Sequence, residues 1–461
     1  MFDGDLLAER ARITPDREAL VYVPTGERFT YAQLSARADA AAAHLRDLGL
    51  TPGDRFGIHG PNCVEYIDLF FAAGRIGVIV VPLSTRATEH ELEIIKADCG
   101  MKLVIEVGPP ALAGRSARFI RRPNPEDINC LLYTSGTTGK PKGVMIPRRQ
   151  LWWNGYNTAI NWGLREDDVS PVYTPMYHAG GLAAFLIPIL TVGGRIVLHN
   201  RFDTTEVWNT IEREKCTVVL GVPTIWKMLM DAPEFATVNL DHVRWFISGG
   251  APLPAYIIDA YAKRGITMRQ GYGMTEAGVN CFTMTSDDAQ RKAGSIGRPM
   301  MFTEVRIAGD GDVGEMLIRG PHVSKGYWNN EAATRDAYDA DGWLHTGDLA
   351  RCDAEGFFYI AGRAKDMFIS GGVNVYPAEV EAELVSHPLV ADAAVVPVSD
   401  ETWGEVGVAF VVSLARQDDI ERYLAERLAR YKLPKRYIFV DALPRTPYGK
   451  VEKGKLRDRL S

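Results

Sequence analysis

The sequence predicts an α/β protein. A large N-terminal part carries two helix-covered, mainly parallel sheets and a small β-rich subdomain, and a small α+β domain follows at the C-terminus. Three observations predict this. Short apolar runs alternate with amphipathic segments from Tyr31 to Lys263, the pattern of parallel strands joined by crossover helices. From Gly297 to Ile360 the texture changes to short strands with frequent Gly and Asp. Residues 367–461 then hold their own set of helices and strands. At 461 residues the chain exceeds one typical core, so two or three domains are expected.

In order, Thr30 caps an Ala-rich helix over Tyr31–Asp47 that Gly49 can end. Asp54–His59 reads as a strand, Asn62–Ile76 as a helix and Gly77–Leu83 as an apolar run. Glu89–Ala97 reads as a helix and Met101–Val107 as a strand. Gly108–Asp127, rich in Pro, Gly and Arg, reads as a surface crossing. The alternation resumes with a helix at Leu182–Leu190, a strand at Arg195–His199, a helix at Thr204–Lys215 and a strand at Val218–Gly221. Pro223–Met230, Val243–Ser248 and Pro254–Lys263 continue it as helix, strand and helix. In the last part, helices at Pro377–Ser386 and Asp418–Ala429 accompany strands at Ala391–Val398, Val408–Leu414 and Tyr437–Val440. The boundary falls near Arg363–Asp366. The expected division is residues 1–362, a hinge at 363–366, and 367–461.

Composition narrows the function classes. A net charge of −6 and a pI near 5.9 give no basic patch for nucleic acid and do not favour anionic membranes. The most apolar stretch, Tyr66–Leu83, is interrupted by Asp68 and Arg75 and makes a poor membrane span. The N-terminus lacks the basic and apolar regions of a signal peptide, and Asp-Arg-Leu-Ser at the end is not a peroxisomal signal. Six cysteines without a Cys-x-x-Cys pair point to reduced, buried thiols rather than zinc or disulfides. The expectation is a cytoplasmic enzyme with no integral membrane association; a homodimer is compatible with it.

The most informative stretch is Tyr133-Thr-Ser-Gly-Thr-Thr-Gly-Lys-Pro-Lys-Gly143. Thr134 to Gly143 holds three glycines, four hydroxyls and two lysines. Glycines permit close backbone approach, successive N–H groups make an anion-binding concavity, and lysines add charge. These residues suit phosphates, although a solvated linker shares the composition. A Walker loop is excluded. Only Thr137 and Thr138 separate Gly136 from Gly139, and Pro141 stands where the metal-binding hydroxyl belongs.

This loop resembles the phosphate loop of adenylate-forming enzymes, which include acyl- and aryl-CoA synthetases, luciferase and peptide-synthetase adenylation domains. The resemblance runs in family order over roughly residues 10 to 455. It implies that Thr134, Ser135, Gly136, Thr137, Thr138, Gly139, Lys140 and Lys142 hold nucleotide phosphates. Ser248-Gly249-Gly250-Ala251-Pro252 resembles the adenine-side loop. In Gln270-Gly271-Tyr272-Gly273-Met274-Thr275-Glu276, the resemblance assigns adenine stacking to Tyr272, an α-phosphate contact to Thr275 and magnesium to Glu276, a suitable hard oxygen ligand. Asp348 of Trp343–Asp348 is implied to bind the ribose hydroxyls. Arg363 is implied to contact ribose and phosphate, and Lys365 to be the hinge of a mobile C-terminal domain. Gly371 and Gly372 resemble a loop lining the pantetheine tunnel; by themselves they are hairpin glycines. Lys450, in Leu443–Lys450, is implied to bridge the acid carboxylate and the α-phosphate.

On the acid side, Pro175–Gly181 resembles the motif bordering the acyl pocket, with His178, Ala179, Gly180, Gly181, Val222 and Pro223 lining it. A structural His is the alternative reading of His178. Amino-acid-activating relatives place an Asp where Ala179 stands, so an amino-acid substrate would lack its counter-charge. Trp152, Trp153 and Tyr156 read as core. The implied activity is an AMP-forming acid–CoA ligase using ATP, Mg2+ and coenzyme A. A medium- or long-chain fatty acid is favoured over an aryl acid, and a free-standing amino-acid adenylation enzyme is the more distant alternative.

Overall fold

The computed structural model describes residues 5–107, 124–135, 141–309, 311–445 and 451–460. The chain divides into two compact units. The first comprises Met1–Leu253, Ala260–Val305 and Ile318–His345; the second comprises Pro254–Asp259, Arg306–Leu317 and Thr346–Ser461.

The first unit contains the mainly parallel sheets that the sequence predicts. One has five strands in the order Leu103–Glu106, Arg55–His59, Ile79–Leu83, Ile128–Ser135, Pro141–Pro147, all parallel except the last. A second has the order Glu27–Thr30, Glu18–Tyr22, Arg195–Leu198, Val169–Val172. A third, fully parallel, runs Val218–Gly221, Trp245–Ser248, Met268–Gln270. The second and third meet edge to edge, where Thr217 N donates to Val169 O at 2.9 Å and the Tyr173 hydroxyl donates to Leu220 O at 2.5 Å.

Local chemistry sets the helix ends. Thr30 and Gln33 form a reciprocal capping box at Tyr31–Asp47, and Thr88 and Glu91 do the same at Glu89–Cys99. The helix Val64–Ile76 is almost wholly buried and stops at Gly77, whose φ of 73° suits only glycine well. Asp68 and Arg75, which interrupt the apolar run Tyr66–Leu83, are paired inside the core. Arg37 lies 2.7 Å from Asp68, and Arg75 lies 2.5 Å from Asp5 and 2.8 Å from Asp39. Burial pushes the Asp68 carboxyl up to about 7 even against the pull of Arg37. Among the described residues, no helix is long and apolar enough to cross a membrane.

Two expectations are refined. The helix expected at Leu182–Leu190 begins as a π-helix over Gly180–Leu186 and continues as an α-helix over Ile187–Val192. Five cysteines are buried as expected, but Cys352 is exposed. Trp152 and Tyr156 pack against the main core, while Trp153 is half-buried with its ring against Tyr156 and Phe302.

In the second unit, a five-stranded sheet has the order Val373–Val375, Phe368–Ser370, Gly404–Ser413, Val390–Asp400, with Arg436–Phe439 parallel to Gly404–Ser413. Alternation along Val390–Asp400 feeds two cores. Ala393 and Val395 pack with Val380, Leu384, Ile420 and Leu424; Ala394 and Val396 pack with Phe410, Leu443 and Leu456. Helices Pro377–Val385 and Gln417–Ala425 thus cover one face, and Lys453–Asp458 contributes to the other.

His199 follows the strand Arg195–Leu198. It is fully buried, neither ring nitrogen has a hydrogen-bond partner among the described residues, and Nδ1 lies 3.9 Å from a Glu206 carboxylate oxygen. Burial, and secondarily Arg213, holds its pKa down from 6.5 to about 4, while Asp203 opposes the shift. The folded state therefore binds fewer protons here than the unfolded chain, and stability falls as the pH drops from 6.5 toward 4. His199→Leu is expected to flatten that fall, read as urea midpoints across this window. Parallel profiles for the two proteins would show that His199 does not govern it.

Candidate active site

The phosphate-type loop joins two antiparallel strands, Ile128–Ser135 and Pro141–Pro147, in the register Tyr133↔Gly143 and Thr134↔Lys142. The first of these closes the run of parallel strands, so the loop leaves from their carboxyl ends, where open α/β sheets present ligand sites. Gly143 must lack a side chain, because a Cβ there would lie 2.9 Å from the Tyr133 ring. That ring is fixed by its hydroxyl, which donates to Asp98 at 2.5 Å. Lys142 stands with its ammonium 5.0 Å from the ring centre of Tyr327. Gly136, Thr137, Thr138, Gly139 and Lys140 lie outside the described residues.

Three further motifs emerge side by side at the carboxyl ends of the three-stranded parallel sheet. Val222 and Pro223 follow Val218–Gly221, Gly249–Pro252 follow Trp245–Ser248, and Gly271–Glu276 follow Met268–Gln270. The registry persists past the strands, since Gly249 N donates to Gly221 O at 3.1 Å and Gly271 N to Ser248 O at 2.9 Å. Gln270 is buried and accepts from Leu253 N at 3.2 Å, which fixes the end of the Gly249–Pro252 loop. Gly273 allows the chain to fold back, because a Cβ there would lie 2.3 Å from Val279 backbone atoms. Tyr272 packs edge-on to Phe282 at 5.7 Å. Thr275 O accepts from the Gln150 amide at 2.8 Å. Next in the chain, Glu276 is only 7% exposed and accepts from the Tyr327 hydroxyl at 2.9 Å.

The motif expected on the acid side follows Val169–Val172, whose strand lies beside Val218–Gly221. Its chain turns tightly: His178 N donates to Pro175 O and Leu182 N to His178 O, at 3.1 and 3.0 Å. Gly181 is required, because its Cβ would meet Pro175 O at 2.3 Å; Gly180 faces open space. Ala179 is buried, and the partly exposed His178 ring tilts against Tyr177 at 5.3 Å.

In the second unit, Asp348 and Arg363 are direct cross-strand partners, with Arg363 Nε 2.5 Å from Asp348 Oδ1. Asp348 is buried and Arg363 exposed. Lys365 is exposed in the turn that follows, where Asp366 N donates to Arg363 O. Gly371 and Gly372, with φ of 58° and 83°, make the hairpin between Phe368–Ser370 and Val373–Val375. A Cβ on Gly371 would also strike Trp403 at 2.8 Å. Lys450 lies outside the described residues. Around it, Glu452 N donates to Pro444 O at 2.8 Å, and Lys453 pairs with Glu381 at 2.7 Å.

Residues 7–328 match the model of the AMP-binding enzyme family, and residues 379–450 match that of the AMP-binding enzyme C-terminal domain. The chain belongs to the AMP-binding enzymes. Relatives cover it end to end. A feruloyl-CoA synthase of an Amycolatopsis species is 39% identical over 99% of both chains. The long-chain-fatty-acid–CoA ligase FadD13 of Mycobacterium tuberculosis is 38% identical over 99% of this chain and 98% of its own. Among solved structures, o-succinylbenzoate coenzyme A synthetase (MenE) from Bacillus subtilis, in complex with ATP and magnesium ion, superposes with a TM-score of 0.89. It is 33% identical and covers 98% of this chain and 99% of that one.

The donor set of this AMP-binding enzyme suits magnesium. Among the described residues no group of three or more acidic, His or Cys side chains could hold a metal unaided. Magnesium bound with ATP needs only one or two carboxylates beside the phosphates, and the buried Glu276 offers a carboxylate of that kind. Tyr327, Gln150 and Asp98 escaped the sequence reading because each lies far from the motif it supports. A tyrosine directly after Gly326 was the available signal, and nothing local linked it to Glu276. Gly273→Ala is expected to lower MgATP affinity about tenfold or more, since an overpacked turn costs on the order of 1–3 kcal/mol. Titration with MgATP checks this, and wild-type affinity would show that the turn tolerates a Cβ.

Proposed function

We propose that this chain, an AMP-forming acid–CoA ligase, joins CoA to a medium- or long-chain fatty acid in the cytoplasm, with the site residues above in the roles their motifs imply. ATP, Mg2+ and CoA are its co-substrates and cofactor. The supporting observation is the gathering of Val222–Pro223, Gly249–Pro252 and Gly271–Glu276 at one carboxyl edge, with a buried carboxylate among them.

The acid carboxylate and the triphosphate repel, so the first step is an electrostatic problem. Lys140, Lys142 and the backbone of residues 134–139 draw charge from the β- and γ-phosphates. Glu276 would hold the magnesium ion, which when bound would neutralise phosphate charge and make pyrophosphate a better leaving group. Tyr272 supports adenine, and Asp348 with Arg363 holds the ribose. Lys450 bridges the acid carboxylate and the α-phosphate, aligning the attacking oxygen with phosphorus. The acid oxygen bonds to the α-phosphorus, pyrophosphate leaves, and the acyl-adenylate is formed. In the second step the CoA thiol loses its proton and attacks the acyl carbon. AMP leaves, and the thioester remains. The segment 363–366 is the hinge, with Lys365 its pivot, that exchanges Lys450 for the Gly371–Gly372 loop between the steps.

Ala179, Gly180 and Gly181 border the acid with Val222, Pro223 and His178, and Ala179 offers no charge to an amino group. An aryl acid is the second reading, favoured by the similarity to a feruloyl-CoA synthase.

Pyrophosphate release from MgATP across acids from acetate to palmitate, with benzoate, salicylate, coumarate and amino acids, is expected to depend on CoA and peak with a fatty chain. A peak with coumarate would select the aryl reading, and turnover with amino acids alone would overturn both. Lys450→Ala is expected to reduce adenylation by 100-fold or more, roughly the effect of one electrostatic contact in the transition state. The same variant should still make thioester from supplied acyl-adenylate. Equal loss of both half-reactions would reject this division of roles.

A further inference from the structure

We propose that Tyr327 is a positioning residue that holds the carboxylate of Glu276 and the ammonium of Lys142 in one preset array for the metal–triphosphate group. The inference rests on the reading of Glu276 as the magnesium ligand.

One side chain joins the two functional groups. The phenol hydroxyl donates to Glu276 Oε1 at 2.9 Å, and the ring carries Lys142 5.0 Å from its centre. These contacts reinforce each other. A cation over the ring makes the hydroxyl a better donor, and the carboxylate makes the ring a better seat for the cation. Among the described residues nothing hydrogen-bonds Glu276 Oε2, which leaves that oxygen for a ligand.

The backbone fixes Tyr327 equally from both sides. Residues 325–328 run along Pro141–Pro147: Lys325 N donates to Met145 O at 3.1 Å, Met145 N to Gly326 O at 2.9 Å, and Trp328 N to Gly143 O at 2.8 Å. In the other direction, Ser324 N donates to Glu276 O at 2.7 Å. Gly326 allows the turn between these attachments, at a φ of 101° with a would-be Cβ 2.4 Å from Thr334. The segment 324–328 therefore splints the phosphate-loop strand to the Glu276 loop, and Tyr327 is its contact with both side chains.

The test is equilibrium binding of Mn2+ in the presence of ATP, followed by the electron paramagnetic resonance signal of free Mn2+, alongside ATP binding in EDTA. Tyr327→Phe keeps the ring under Lys142 and removes the hydroxyl. It is expected to weaken Mn2+ binding about tenfold, the scale of one hydrogen bond to a charged group, with metal-free ATP binding unchanged. Tyr327→Leu is expected to weaken both. In the Tyr327→Phe, Glu276→Gln double variant the two losses are expected to be less than additive. If Glu276→Gln weakens Mn2+ binding and Tyr327→Phe does not, or the losses simply add, the inference is overturned. If Glu276→Gln itself binds Mn2+ as the wild type does, the metal assignment fails instead.

Discussion

A carboxylate held out of water needs either hydrogen bonds or a cation. Glu276 receives one side-chain hydrogen bond, from Tyr327, and no ion pair among the described residues. Burying an ionised group with so little compensation is unfavourable unless the missing charge arrives with a ligand. Much of the first unit holds that carboxylate in place. The turn at Gly273 brings it round, Gln150 ties down the preceding carbonyl, and Ser324 ties down its own. On the proposed reading, a metal–nucleotide pair would bring the charge that this site lacks.

The parallel sheet explains why the motifs lie so far apart in the chain. Parallel strands all point their carboxyl ends the same way, so each crossover returns a new loop to the same edge. Gly221, Ser248 and Gln270 end neighbouring strands, and the backbone bonds Gly249–Gly221 and Gly271–Ser248 extend that registry into the loops. Short strands with glycine just beyond them leave the backbone bare for a ligand. The motif Pro175–Gly181 joins this edge because Val169–Val172 lies against Val218–Gly221. Its tight π-helical start depends on Gly181 as strictly as the turn at Gly273 depends on its glycine.

The second unit supplies a different kind of element. Asp348 and Arg363 are paired across strands, which orients the carboxylate and leaves the exposed guanidinium available for a second anionic partner. Lys365 and the Gly371–Gly372 hairpin follow within a few residues, each in a turn rather than a core. Beyond them, two hydrophobic cores on opposite faces of one sheet make the C-terminal part rigid in itself. Lys365 and the Gly371–Gly372 hairpin are thereby mounted on short exposed connections to a stiff support.

The sequence by itself determined the chemistry and the order of elements. Glycine, hydroxyl and lysine residues at 134–143, the carboxylate at 276 and the alternation of strand and helix are local properties, and local patterns are what a chain displays without its fold. The family and its reaction were legible for the same reason. Tertiary structure alone decided which distant residues stand beside these groups. Glu18–Tyr22 pairs in parallel with Arg195–Leu198, Asp98 holds Tyr133, and Tyr327 reaches Glu276. Each of these contacts depends on which strand lies next to which. Hydrophobic periodicity specifies the face a strand buries, but not its neighbour. Asp68 and Arg75 teach the same lesson, since they look like interruptions of an apolar helix until the fold brings Arg37, Asp5 and Asp39 to meet them.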